Sequence, residues 1–186
     1  MFVVVIISGG SGSGKTETLK KMRRALAGRA GEVATLETDT FYTMIDPEWS
    51  IDWPEAENYF RTALDMVART ALGLMDSGFE WLAIGSNGLY ERETVHSFIA
   101  PFRDDARARI HHVTLDPGVE TVQARIAKRN ASEDAIKTPD WLASQVKWFR
   151  ERYGNWTHVI DNSKLTPEET AVAIHEAVCR GHGLSS

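Results

Sequence analysis

Apolar residues run unbroken from Phe2 to Ile7 and then give way to glycine and serine. That run reads as strand one. Leu19, Met22 and Leu26 recur at helical spacing behind it, which predicts a helix from about Lys15 to Ala27, ended by a loop at Gly28 and Gly31. Val33 to Glu37 reads as strand two, and Thr43 to Trp53 as a long connection. Asp52 and Glu55 flank Pro54 like a helix start, and Ala56, Phe60, Ala63, Leu64, Val67 and Ala71 carry that helix to about Met75. Trp81 to Ile84 is strand three. Val95, Phe98, Ile99 and Phe102 predict a helix limited by Pro101. Ile110 to Leu115 is strand four, stopped by Asp116-Pro117-Gly118, and Val119, Val122 and Ile126 give the next helix its apolar side. A polar break at Asn130–Pro139 precedes a helix from about Asp140 to Tyr153 and strand five at Thr157–Ile160. Thr166, Pro167 and Glu169 form a capping box with proline at the first helical position, opening a last helix that turns Ala171, Ile174 and Val178 inward.

Strands alternating with helices imply an α/β fold of three layers: a five-stranded parallel sheet with right-handed crossovers and helices on both faces. Ligands of such sheets gather at the carboxyl ends of the strands. Four loops therefore matter: Ser8–Thr16, Thr38–Tyr42, Gly85–Tyr90 and Asp161–Lys164.

The first of these carries the strongest chemistry. Gly9-Gly10-Ser11-Gly12-Ser13-Gly14-Lys15-Thr16 fits G-x-x-x-x-G-K-[ST], between a strand and a helix as that motif requires. Glycines let backbone N–H groups close on a phosphate chain, and the helix that follows adds its dipole. Lys15 is the mobile charge for the β- and γ-phosphates, and the Thr16 hydroxyl is a hard oxygen ligand for Mg²⁺. The chain is thus expected to bind a nucleoside triphosphate, ATP with Mg²⁺, in a P-loop NTPase fold.

Composition narrows the class. At 186 residues with 42% apolar and 25% charged residues, the chain has the size and balance of one domain spanning residues 1–186. No apolar run is long enough for a bilayer, a secretory leader is not expected, and the lone Cys179 excludes an internal disulfide, so a cytoplasmic setting is expected. A net charge of −5 lacks the basic balance expected of a general nucleic-acid binder. Oligomeric state is not legible.

Asp39 follows strand two on the P-loop edge, where a kinase needs a carboxylate to accept the acceptor's hydroxyl proton. Alternatives are a cap for a helix starting at Thr40, or a hold on a Mg²⁺-bound water. Gly9–Thr16, then Asp39-Thr40-Phe41-Tyr42, then Asp52-Trp53-Pro54-Glu55-Ala56 resemble the uridine kinase family, whose members carry a G-G-S-x-x-G-K-T loop, a D-x-F-Y segment and a D-H-P-D-A-type segment in that order. The stretch is also similar to chloramphenicol phosphotransferase-like P-loop kinases. The resemblance implies that Asp39 is the base and that Tyr42, Asp52 and Trp53 face the acceptor. Trp53 replaces the family's histidine, and its long insertions and lid arginine motif are missing, so the resemblance supports a small-molecule kinase more firmly than uridine as acceptor.

Glu37 to Phe60 holds seven acids and no lysine or arginine, which points to a neutral or cationic acceptor bound at about residues 38–60. Arg125 and Arg129 lie one turn apart on one helix face, before a lid at about residues 125–140 that contains Lys137; such cations stabilise charge on a transferring phosphoryl group. Trp141 and Trp148, on the helix beyond, read as packing residues. No acid closes strand three; Asn87 stands there, which disfavours a motor or hydrolase and makes Asn87 a candidate acceptor contact. His111 and His112 point to opposite faces of a strand and are poor joint metal ligands. The expected activity is ATP-dependent phosphorylation of a hydroxyl on a nucleoside, sugar or hydroxylated antibiotic. The rivals are a polynucleotide 5′-hydroxyl kinase and a nucleotide-binding regulator with little transfer activity.

Overall fold

The computed structural model describes residues 1–48, 54–103, 105–129, 138–153 and 156–184. Strands β1 (Phe2–Ser8), β2 (Val33–Glu37), β3 (Trp81–Ser86), β4 (Ala108–Leu115) and β5 (His158–Ile160) form one sheet in the order β2-β3-β1-β4-β5. Every pairing is parallel. The helices are α1 (Lys15–Ala25), α2 (Thr38–Ile45), α3 (Ala56–Asp76), α4 (Arg92–Arg103), α5 (Val119–Arg129), α6 (Pro139–Tyr153) and α7 (Pro167–Cys179).

β1 is buried along its whole length, and its side chains part by the period of two. Val4 and Ile6 join Leu82, Ile84 and Ile110 in a core under α2, α3 and α4; Val3, Val5 and Ile7 join Ala83, Val113 and Leu115 in a core under α1 and α7. A strand covered on both faces must read as a continuous apolar run, which is why the first seven residues carry so clear a signal. A third, smaller cluster, Val122, Ile126, Leu142 and Val146, joins α5 to α6.

One glycine is set by packing. A Cβ on Gly85 in β3 would stand 2.6 Å from Leu19 Cδ1, so α1 lies close on the sheet only because that position is bare.

The main departure from expectation is α2. Thr38 starts this helix, with Glu37 in extended conformation at the N-cap position and no side-chain cap bond, so Asp39 lies in the first turn and is not the cap. Its threonines are weak helix formers. The helix forms because Phe41 and Tyr42 on one face enter the core beside α3. Pro101 lies within α4, which continues to Arg103.

The capping box is formed as expected: the Thr166 hydroxyl accepts from the Glu169 amide and the Glu169 carboxylate accepts from the Thr166 amide. Thr166→Ala should lower unfolding free energy by about 1 kcal/mol, and Ile174→Ala, at a side chain with 0% exposure, by about 2–5 kcal/mol. Urea midpoints of the two variants against the parent check both, and a costlier cap than core deletion would contradict the packing described.

Candidate active site

The loop between β1 and α1 curls with left-handed glycines: φ is 146° at Gly9, 77° at Gly12 and 94° at Gly14. Gly14 is the N-cap of α1, with no side-chain cap, so the first N–H groups of that helix point into the loop. The Lys15 ammonium folds back over it, donating to Gly9 O at 2.6 Å, Gly10 O at 3.1 Å and Ser13 Oγ at 3.3 Å. Only 8% of Lys15 is exposed. Amides and one ammonium thus converge on a cradle with anion chemistry.

The Thr16 hydroxyl donates to Oε1 of Glu37, the last residue of β2. A hydroxyl and a carboxylate side by side beside a phosphate cradle are the hard-oxygen donors Mg²⁺ takes, directly or through its waters. The residues present fit that ion. Thr16 was legible from the motif. From sequence Glu37 counted only as one of the seven acids of the acceptor segment; an acid ending β2 was the available signal.

Asp39, in the first turn of α2, accepts from Asn87 Nδ2 at 3.2 Å on Oδ2. The loops after β2 and β3 therefore bring together two residues 48 positions apart. Beneath them the sheet edge is polar. Register pairs Ser8 with both Ser86 and Thr114. Thr38 Oγ1 donates to Ser86 Oγ at 3.1 Å, and Ser86 Oγ accepts from the amides of Gly88 at 3.1 Å and Leu89 at 3.2 Å, shaping the turn that presents Asn87.

Ser8 Oγ donates to the Leu89 carbonyl and lies 2.6 Å from His112 Nε2. Its proton being used, the serine accepts from Nε2–H, leaving His112 Nδ1 unprotonated. That atom is buried without a hydrogen bond, with the Trp156 ring centroid 4.7 Å from the imidazole's. Burial pushes the His112 pKa down to about 3, the hydrogen bond with Leu89 working the other way. His111 lies across the strand with Nδ1 2.8 Å from His182 O, and among the described residues no group of three or more His, Cys, Asp or Glu is placed to hold a metal.

Arg125 of α5 lies against the loop. Its Nη1 donates to Ser13 O at 3.1 Å and Nη2 to Asn162 O at 2.7 Å. Burial lowers its pKa, with Asp161 opposing. Asn162 Nδ2 donates to Ser13 O at 2.9 Å. On the loop's other flank, Gln145 Oε1 of α6 accepts from the Ser11 amide at 3.1 Å. Neither Asn162's grip nor Gln145's had a sequence signal beyond position.

The structure brings together Gly9–Thr16, Arg125, Asp39 and Asn87 along one edge of the sheet. Tyr42 departs from its expected place. It is 5% exposed and stacks on Phe60 at 5.7 Å, because the helical period turns it inward with Phe41 and Thr38. Burial raises its phenol well above the usual pKa. Trp148 packs on Tyr90 at 4.7 Å, whereas Trp141 is exposed. Asp52, Trp53 and the 130–137 stretch with Lys137 lie outside the described residues; Arg129 is the last residue of α5.

A family model described as an AAA domain matches residues 4–172. No curated protein matches the chain in sequence. Several solved structures share its fold. A tunicamycin resistance protein from Deinococcus radiodurans is 18% identical with a TM-score of 0.62, over 100% of this chain and 99% of that one. Shikimate kinase from Acinetobacter baumannii, in complex with shikimate, is 18% identical with a TM-score of 0.62, over 97% and 95%. A sugar kinase from a Janibacter species is 20% identical with a TM-score of 0.61, over 97% and 94%.

The buried imidazole predicts an acid sensitivity. His112 stays neutral in the fold down to about pH 3, whereas in the unfolded chain it takes a proton near its ordinary 6.5. Its contribution is therefore whole above pH 6.5 and is lost as pH falls from there toward 3. Between pH 7.5 and pH 5 the protein should lose about 2 kcal/mol that a His112→Gln variant does not lose. Denaturant titrations of both proteins at the two pH values read the difference, and parallel losses would show that His112 is not the group.

Proposed function

The chain belongs to the AAA-domain family whose model it matches over residues 4–172, and from that premise we propose that it is an ATP-dependent phosphotransferase acting on a hydroxyl of a small molecule. The carrying observation is the Asp39–Asn87 pair at 3.2 Å, on the edge that also bears the phosphate cradle. A binding protein needs the cradle alone. A transferase needs a carboxylate aimed at the space in front of it.

The triphosphate lies along the Gly9–Thr16 amides, and Lys15 exchanges its carbonyl partners for phosphate oxygens. Thr16 and Glu37 would hold Mg²⁺, which supplies charge neutralisation on the β- and γ-phosphates. Asn87 engages Asp39 Oδ2 and orients the carboxylate so that Oδ1 accepts the acceptor's proton as its oxygen bonds to the γ-phosphorus, while the bond from that phosphorus to the β–γ bridging oxygen breaks and ADP leaves. Arg125 adds positive potential from the α5 side, and Arg129 sits one turn further along the same helix. The whole chain serves as one kinase domain, with the 125–140 stretch as lid.

The acceptor is neutral or cationic, since Glu37, Asp39, Asp46, Glu48, Asp52, Glu55 and Glu57 give its segment a negative charge with no lysine or arginine among them. A nucleoside, a sugar and a hydroxylated antibiotic all meet that requirement. The kinase and resistance-protein structures that share the fold support a transfer to small molecules.

Acceptor-dependent ADP release, screened over nucleosides, sugars and antibiotics, is expected for at least one compound. In Asp39→Asn, turnover should fall by about a hundredfold or more while the nucleotide Kd stays within about threefold. Lys15→Ala should weaken binding and turnover together. Full turnover in Asp39→Asn would remove the base assignment; ADP release that ignores every acceptor would make the protein a hydrolase.

A further inference from the structure

Gln145 is half-buried on α6 and is bonded to a phosphate-cradle amide by its side-chain carbonyl, Ser11 N to Oε1 at 3.1 Å. We propose that Gln145 is a contact for the terminal phosphate of the bound nucleotide. This rests on the phosphotransferase reading and adds to it a residue that no motif marks.

The end of the cradle at which Gln145 sits can be told from Lys15. The lysine of such a loop follows the β- and γ-phosphates. Its ammonium lies nearest Gly9 O at 2.6 Å and Gly10 O at 3.1 Å, with Ser13 Oγ further at 3.3 Å, so that end of the loop is the terminal end. The Gly14 end, opening α1 beside Arg125 and Asn162, is the other. Ser11 follows Gly10 directly, and a Cβ built on Gly10 would stand 3.4 Å from Gln145 Oε1. The carboxamide oxygen occupies a place that an oxygen of the terminal phosphate would take.

A carboxamide is suited to both states. Its oxygen and nitrogen are nearly the same size, and rotation about the terminal torsion is soft. With the cradle empty, Oε1 accepts from Ser11 N–H. With a phosphate oxygen on that amide, the carboxamide is displaced from it, and a half-turn about its terminal torsion presents Nε2–H to the phosphate as a donor. α6 is anchored for this task. Phe149 is 7% exposed and packs edge-on to Tyr90 at 5.2 Å, and Arg150 Nε donates to both Asp116 oxygens at 3.0 and 2.8 Å. Gln145 thus approaches the terminal phosphate from α6, at the end of the loop away from Arg125.

A diphosphate lacks the group in question, so selectivity is the readout. Calorimetric titration with MgATP and with MgADP is carried out on the parent protein, Gln145→Glu and Gln145→Met. Glutamate keeps an acceptor for Ser11 N–H, so the empty protein retains its fold, but it sets a carboxylate against the phosphate. The Kd for MgATP should rise by about tenfold or more, and that for MgADP should stay within about threefold. Methionine keeps the length and loses the donor; MgATP should weaken by about three- to tenfold and MgADP should not change. Gln145→Met carries the test if Gln145→Glu does not fold. Equal shifts for the two nucleotides, or no shift, would overturn the assignment while leaving the phosphotransferase reading intact. A parent protein that binds neither nucleotide would overturn both.

Discussion

β1 is hydrogen-bonded to a strand on each side and covered by a core on each face, and the position of its last residue constrains everything chemical in the molecule. Ser8 ends the strand level with Ser86 and Thr114. The next residues must turn out of the sheet and into α1, and left-handed glycines do so while keeping the amides inward. A cradle of N–H groups loses entropy each time it must order around an anion. Here the strand below it and the helix beyond it are fixed by packing, so little ordering is left for the ligand to impose.

The polar row beneath the site solves a second problem. Hydroxyls at the end of a buried sheet need partners, and Thr38, Ser86 and Ser8 supply them to one another's loops rather than to water. Because Ser86 holds the amides after Asn87 and Ser8 holds the Leu89 carbonyl, the turn bearing Asn87 is tied to β1 itself. The Asp39–Asn87 contact is therefore set by the same strand end that sets the cradle. His112 buttresses Ser8 from β4 and carries one nitrogen without a partner. That cost is tolerable only because the imidazole is neutral.

The cradle is also held from outside the sheet. Arg125 and Asn162 take the Ser13 carbonyl from α5 and the β5–α7 loop, and Gln145 takes the Ser11 amide from α6. These grips come from residues more than a hundred positions away. α5 and α6 meet in a small core of their own, Val122, Ile126, Leu142 and Val146, so both flanks belong to one packed unit resting on the loop.

The sequence by itself determined the strands, most of the helices, and the cradle with Lys15 and Thr16. Each depends on local physics: continuous apolar runs for strands buried twice, helical periodicity, a capping box, and glycines where the backbone must turn left-handed. It also placed Asp39 and Asn87 on one edge of the sheet with the glycine loop, since parallel strands put their following loops together. It offered α2 only as an alternative, a helix starting at Thr40 with Asp39 as cap; the threonine-rich start has weak propensity, and the helix begins at Thr38 because Phe41 and Tyr42 are pulled into the core. For the same reason it sent Tyr42 toward an acceptor when the ring faces inward. Only the tertiary structure decided that Glu37 meets Thr16, that Asn87 is hydrogen-bonded to Asp39, and that Arg125 and Gln145 flank the loop. Those are contacts between segments far apart in the chain, formed by how layers stack and strands register. No local pattern of hydrophobic and polar residues encodes the partner of a side chain across such a distance.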